Sequence, residues 1–113
     1  MYIPISAKAA LLQALLDGSG YGIELAQRIQ TRTNGAIVLL QGSLYPALKT
    51  LEEEGLVTSF EGDQRGDIER TRTHYKLTEK GTKLARHHRA ALIGLTGKRL
   101  SREEKAVLEA PPT

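Results

Sequence analysis

Hydrogen-bonding side chains lie along one side of a helix predicted for residues 43–54. On a helical wheel of about 100° per residue, Ala47, Leu48 and Leu51 fall within about 60° of Leu44, which predicts a buried stripe. The outer side carries Tyr45, Pro46, Lys49, Thr50 and Glu53, and Ser43 stands at the start of the helix. Hydroxyl and ammonium groups on an exposed helix can bind phosphate oxygens or the edges of bases in a DNA major groove. Any amphipathic surface helix has such a polar side, so this pattern alone does not decide its role.

The two ends of this helix carry different signals. Ser43 is a plausible N-cap, which would place Pro46 in the first turn, and Gly55 suits the position after the last turn. The three carboxylates of residues 52–54 would be repelled by phosphate. We therefore expect the first two turns to contact DNA and the last turn to point away from it.

A second basic group alternates along a strand predicted for residues 71–77. Arg72, His74 and Lys76 fall on one face, while the other face carries residues such as Thr73 and Tyr75 that are apolar or small. We expect the three basic side chains to contact backbone phosphate.

The polar segment before this strand is predicted to be a loop, or wing, at residues 61–70. Within residues 62–70 there are three acidic and two basic side chains, a net charge of −1. Arg65 stands beside Gly66 near the expected tip. It could enter a narrow minor groove, where the potential is most negative. A solvated tip with balanced charge explains the segment equally well.

Residues for catalysis or metal binding are not arranged in a usable pattern. The sequence has no cysteine, no Gly-rich phosphate loop and no nucleophile elbow. His87 and His88 are adjacent, so on a helix they point about 100° apart and cannot share a metal ion. The sequence therefore predicts neither an enzyme nor a cofactor or metal site.

The order of elements predicts the fold. Predicted helices cover residues 6–16, 21–33, 43–54 and 78–96, a short last helix starts at Ser101, and predicted strands cover residues 37–40, 56–60 and 71–77. Three helices followed by a two-stranded hairpin predict a mainly α (α+β) fold, a winged helix-turn-helix domain with a C-terminal dimerisation helix. We expect residues 1–77 to form the DNA-binding part and residues 78–113 the dimerisation helix and tail, in one compact unit.

The fourth helix carries a partly apolar face with no obvious partner within the chain, which predicts a homodimer. This face consists of Leu84, His88, Ala91, Leu92 and Leu95. The net charge of +3 over 113 residues is compatible with a polyanionic partner such as double-stranded DNA. No apolar run approaches the roughly 20 residues that span a bilayer, so we expect a cytoplasmic protein with no membrane partner.

Three segments resemble the signature of PadR-family regulators. They are residues 21–26, residues 42–57 with the run Gly-Ser-Leu-Tyr-Pro-Ala-Leu, and residues 74–81, within a similarity that covers residues 9–95. The resemblance implies a dimeric winged-helix regulator, usually a repressor, whose C-terminal helix packs against the partner subunit. It places Tyr21, Ser43, Tyr45, Pro46 and Lys49 where the family meets DNA, and it implies a possible small-molecule effector near the dimer interface. The short C-terminal part is typical of a compact subgroup.

The sequence thus predicts a transcriptional regulator that binds an inverted-repeat operator as a homodimer. The alternative is a winged-helix module that docks on a partner protein without binding an operator directly. The near-neutral wing and the carboxylates of residues 52–54 favour that alternative.

Overall fold

The computed structural model describes residues 6–64 and 67–109. For residues 62–64 and 67–71 it describes the backbone only. This part of the chain forms five helices and three strands. In chain order they are α1 (Ala7–Leu15), β1 (Gly20–Tyr21), α2 (Gly22–Arg32), α3 (Gln41–Glu53), β2 (Val57–Gln64), β3 (Asp67–Leu77), α4 (Glu79–Leu95) and α5 (Arg102–Glu109). This is the winged-helix architecture expected from the sequence.

The three strands form one antiparallel sheet in the order β1-β3-β2. β1 was not predicted, because two residues are too few to show an alternating pattern. Both hairpin strands are also longer than predicted, and residues 61–64 and 67–70, expected to be a loop, are strand. The backbone pairs there through partners such as Glu61 with Thr73, although the sequence of this segment is mostly polar. Arg65 lies outside the described residues.

Residues 37–40 connect α2 to α3, and the strand predicted there is wrong. The backbone N–H of Ile37 donates to the Thr33 hydroxyl at 3.1 Å, so a side chain satisfies the group that a strand would pair. Ile37 and Leu39 are half-buried against the core, whereas Val38 and Leu40 are 51% and 70% exposed. The apolar run is therefore a partly anchored loop between two helices.

The start of α3 also differs from the prediction. The N-cap is Leu40, whose carbonyl accepts from the N–H groups of Ser43 and Leu44 at 2.9 Å each. Ser43 is the third helical residue, and Pro46 lies in the second turn rather than the first. The missing N–H of proline removes the hydrogen bond that residue 46 would donate to the Gly42 carbonyl.

The core lies between α1, α2, α3 and the inner face of the sheet. Its largest fully buried side chains are Leu11, Leu25, Leu44, Leu48, Leu51 and Val57. The stripe predicted for α3 is confirmed. In α2 the spacing of Ile23, Ala26 and Ile29, with Leu25 beside them, predicts a buried stripe. This prediction is partly wrong, because Ile29 is buried but Ile23 is 40% exposed, and the fully buried residue is Leu25.

In α1 the spacing of Ile5, Ala9, Leu12 and Leu16 predicts a buried stripe. Leu12 is buried as predicted, and Ile5 lies outside the described residues. The expected stripe is otherwise shifted, since Leu11 and Leu15 are buried while Ala9 and Leu16 are half-buried.

The sequence predicts Thr78 as the cap of the fourth helix and a capping box at Ser101 and Glu104, and the two C-terminal helices begin there. The Thr78 hydroxyl accepts from the Gly81 N–H at 3.1 Å, and Ser101 and Glu104 form a reciprocal capping box. The expectation that α4 lacks a partner within the chain is wrong. Gln13 of α1 donates to the Ala85 carbonyl at 2.9 Å, and Ala85 is fully buried, so α4 packs directly on α1.

Candidate nucleic-acid interface

The third helix is anchored on one side and open on the other. Leu44, Leu48 and Leu51 are at most 1% exposed, which fixes the rotation of α3 about its own axis. Of the predicted contact residues, Ser43, Tyr45, Pro46 and Lys49 are exposed and Thr50 is half-buried. A helix held in this way presents the same outer side chains to any partner.

The Thr50 hydroxyl is engaged within the helix. It donates to the Pro46 carbonyl at 3.0 Å. Its proton is therefore committed, and only its oxygen lone pairs remain for a partner. Thr50 can accept a hydrogen bond from a base amino group but does not offer a donor to phosphate in this conformation.

Tyr45 leans from α3 onto the first turn of α2. A Cβ atom built on Gly22 would lie 2.8 Å from Tyr45 Cε1 and 3.0 Å from its hydroxyl oxygen. Such distances are shorter than ordinary contacts between heavy atoms, so the ring occupies the space that a side chain at residue 22 would need. The glycine thus sets the position of the tyrosine.

An aromatic row, Tyr21–His74–Phe60, crosses the outer face of the sheet, one residue from each strand. The ring centroids of Tyr21 and His74 are 5.7 Å apart, and those of Phe60 and His74 are 5.4 Å apart. This row exists because the strand register places both Tyr21 and Phe60 opposite His74.

Cationic side chains flank the aromatic row at both ends. The Arg72 guanidinium carbon lies 4.4 Å from the Tyr21 ring centroid, and Lys76 Nζ lies 5.6 Å from that of Phe60. A cation over a ring at such distances is attracted by about 0.5–1 kcal/mol at an exposed site. The rings therefore hold both cations along the sheet surface, as expected for the basic strand face.

An open groove joins the sheet to the two helices of the helix-turn-helix. Tyr21, Gly22, Tyr45, Arg72 and Tyr75 are among its lining residues. It brings together three of the residues predicted to meet DNA: Tyr21 from β1, Tyr45 from α3 and Arg72 from β3. Burial, the Glu52 carboxylate and Tyr45 raise the pKa of Tyr75 above its usual 10.0, so its hydroxyl stays protonated at neutral pH.

The acidic end of α3 forms a hydrogen bond and an ion pair with other elements of the chain. Glu52 accepts a hydrogen bond from the Ser59 hydroxyl of β2 at 2.5 Å. Glu54 pairs with Lys8 of α1, with a distance of 2.6 Å between the charged atoms. Two of the three carboxylates thus have partners within the chain.

Residues 11–87 match the model of the transcriptional regulator PadR-like family, which covers more than half of the chain. The chain belongs to this family. The resemblance noted in the sequence is confirmed, and with it the winged-helix fold.

Solved structures agree with the family membership. A transcriptional regulator from Clostridium thermocellum is 28% identical with a TM-score of 0.66, covering 80% of this chain and 82% of that one. A PadR family transcription regulator from hypervirulent Clostridium difficile has a TM-score of 0.67 at 23% identity, covering 80% of this chain and 91% of that one. The second likeness shows the common fold alone.

A curated relative is an uncharacterized protein of Lysinibacillus sphaericus. It is 28% identical over 71 residues, which is 63% of this chain and 63% of the relative. The chain therefore spans less than two thirds of the length of the relative it matches.

The predicted dimer residues of this PadR-like protein differ in their surroundings. Leu84 packs against the core, whereas His88 and Ala91 are half-buried and line a shallow groove with Leu92. Leu95 is 83% exposed. The end of α4 thus carries its open apolar surface, and the start belongs to the chain's own core.

Two observations bear on metal binding and on membrane association. Among the side chains that the structure describes, no three of histidine, aspartate or glutamate come close enough to hold a metal ion. None of the helices within residues 6–64 and 67–109 is long and apolar enough to cross a membrane.

Phe60 and Gly22 are residues of the candidate interface that the sequence does not indicate. Phe60 was predicted only as the end of a strand, and its neighbour His74 becomes evident only from the strand register. The glycine stood at a helix start, where its role depends on Tyr45 from another helix. Neither the Phe60–His74 contact nor the Gly22–Tyr45 contact can be predicted from the spacing of residues within one segment.

Proposed function

We propose that this PadR-like protein is a sequence-specific regulator that binds double-stranded DNA by inserting α3 into the major groove. The observation that carries the proposal is the anchoring of α3, with its leucines buried and its outer face open. The internal pairing of Glu52 and Glu54 supports it further, because it draws two carboxylates away from an approaching phosphate backbone.

The proposed contacts divide between bases and phosphates. Ser43, Tyr45 and Lys49 face the base edges, with Pro46 beside them and Thr50 as an acceptor only. Phosphates are bound by the sheet surface, through Tyr21, Arg72, His74 and Lys76. Arg65 remains a prediction for the minor groove.

The regulator is proposed to be a homodimer and a repressor. The exposed end of α4, with Leu92 and Leu95, would contact the partner subunit together with His88 and Ala91. Two copies of α3 would then enter successive major grooves about 34–36 Å apart, which requires an inverted-repeat operator. A small-molecule effector at this interface would bind in the shallow groove beside α1. Sedimentation that shows a monomer at micromolar concentration would contradict this arrangement.

Selection of genomic fragments, followed by titration of the selected site, tests DNA binding. Lys49→Ala should weaken binding to that site, whereas Lys105→Ala, which removes an exposed lysine from α5, should not. If a dimer neutralises about 6–10 phosphates, affinity should fall by about 10³–10⁵ between 50 and 200 mM salt.

Two outcomes would contradict the proposal. A shallow salt dependence on a selected site would argue against a phosphate-binding surface. If no fragment is retained at low salt, the module that docks on a partner protein becomes the better explanation.

A further inference from the structure

Leu40, at the start of α3, is unusual both as an N-cap residue and as an exposed apolar side chain. It occupies the N-cap with φ −83° and ψ 158°, the conformation in which serine, threonine or aspartate would accept a hydrogen bond from the first turn. Leucine has no such acceptor and is among the poorest N-cap residues. Its side chain is also 70% exposed, so it contributes little to the core.

The exposure of Leu40 is not shared by every apolar residue of the segment 37–40. Ile37 and Leu39 pack against the core, while Leu40 projects away from it beside the first turn. Burial of Ile37 and Leu39 therefore stabilises the fold, whereas the exposed side chain at residue 40 does not explain why this residue is leucine.

Gly42 lies two residues further on, and no contact within the described residues requires a glycine at this position. It is helical, it is not among the glycines with positive φ, and a Cβ built on it meets nothing within 4 Å. Glycine is a poor helix former, and it is commonly used where a backbone approaches a ligand closely. The open space indicates that alanine would fit the folded chain.

We propose that the first turn of α3 recognises a thymine: Leu40 packs against the 5-methyl group, and Gly42 allows the backbone to approach the base edges. This inference rests on the proposed function. Thymine is the base that presents an apolar group in the major groove, and an exposed leucine can contact it without any hydrogen bond. Leu40 also continues directly into the outer face that starts with Ser43.

Replacing thymine by uracil removes only the methyl group and so tests the contact directly. Each thymine of the selected operator is replaced in turn, and affinity is measured for the full chain. We expect one position in each half-site where uracil weakens binding by about fourfold, which corresponds to about 0.8 kcal/mol for one buried methyl-sized group. Leu40→Ala should bind the thymine and uracil operators equally.

Val38→Ala is the matched control, because Val38 is the other exposed large apolar residue of the loop at residues 37–40. It should keep the difference between thymine and uracil. The inference is overturned if the wild-type chain binds its operator specifically but distinguishes thymine from uracil at no position. It is also overturned if Leu40→Ala keeps the discrimination, or if Val38→Ala loses it instead.

Gly42→Ala tests the close approach. We expect unchanged or higher thermal stability together with at least tenfold weaker operator binding. Normal affinity of a folded Gly42→Ala chain would remove Gly42 from the proposal. A chain that retains no DNA fragment at all refutes the proposed function itself, which is a different result from specific binding without a methyl effect.

Discussion

The contact between Gly22 and Tyr45 allows the interface to be disturbed without unfolding the protein. In Gly22→Ala, the new methyl group would lie 2.8 Å from Tyr45 Cε1. Because carbon atoms pack at about 3.5–4.0 Å, the ring must retreat by about 1 Å. The ring is 42% exposed, so it can move into solvent rather than into the core.

The expected effect on stability is small. Alanine in a helix is favoured over glycine by about 0.5–1 kcal/mol, and this gain offsets part of the displaced contact. Thermal unfolding should therefore shift by no more than about 4 °C for a chain of this size.

The expected effect on DNA binding is larger. If Tyr45 makes one aligned contact with the operator, losing it costs about 1–3 kcal/mol, or about 5- to 150-fold in affinity. Fluorescence anisotropy on the selected operator, with circular dichroism of the same sample, measures both effects.

Gly94→Ala is the control for the loss of a helical glycine. A Cβ there meets only Leu100 side-chain atoms at 3.9 and 4.0 Å, an ordinary contact on α4, and operator binding should be unchanged. A folded Gly22→Ala chain that binds like wild type would refute the role of the Tyr45 position. A Gly22→Ala chain that fails to fold would refute the argument that the ring is free to move.

Three further predictions concern stability. Gly81→Ala should destabilise the fold by at least about 2 kcal/mol in urea titrations, because its Cβ would lie 1.9 Å from the Leu56 carbonyl oxygen; wild-type stability would show that the Leu56 carbonyl does not lie against α4. Leu40→Ser should raise stability by about 1 kcal/mol by capping α3, and a loss would contradict the N-cap geometry. The hydrogen bond from Arg32 and the charges of Arg32 and Arg89 hold the pKa of Asp17 below 3.8, although burial opposes the shift. The stabilisation is therefore complete above about pH 3.8 and lost as pH falls through the lower folded pKa. Asp17→Asn should remove this part of the acid sensitivity of thermal unfolding, and an unchanged pH profile would contradict it.

The helices could be predicted because their signals are local. The leucine stripe of α3, the Thr78 cap and the Ser101–Glu104 box each depend on residues within a few positions of one another. Distant contacts explain why β1 could not be predicted, because it exists only beside β3. The strand predicted for residues 37–40 is wrong for a local reason, since the Thr33 hydroxyl, four residues before Ile37, takes a backbone N–H that a strand would have paired.

The candidate site was predictable in part for the same reason. The exposed positions of α3 follow from the helical spacing of its leucines. The basic face of β3 follows from the alternation of side chains along a strand. The aromatic row depends on the register of three strands, and the place of Tyr45 depends on a glycine in another helix. Contacts of this kind join segments that no local pattern relates.

The glycines of this chain separate the demands of folding from those of binding. Gly81 is required within the chain, because the Leu56 carbonyl leaves no room for a side chain. Gly22 is required by an exposed ring that belongs to the candidate interface, and Gly42 faces open space. If stability alone had shaped the surface around α3, alanine would suit residue 42 and a capping residue would suit residue 40. Both departures lie at the turn that the proposed function brings nearest to the bases, where a bound operator supplies the contacts that the free protein lacks.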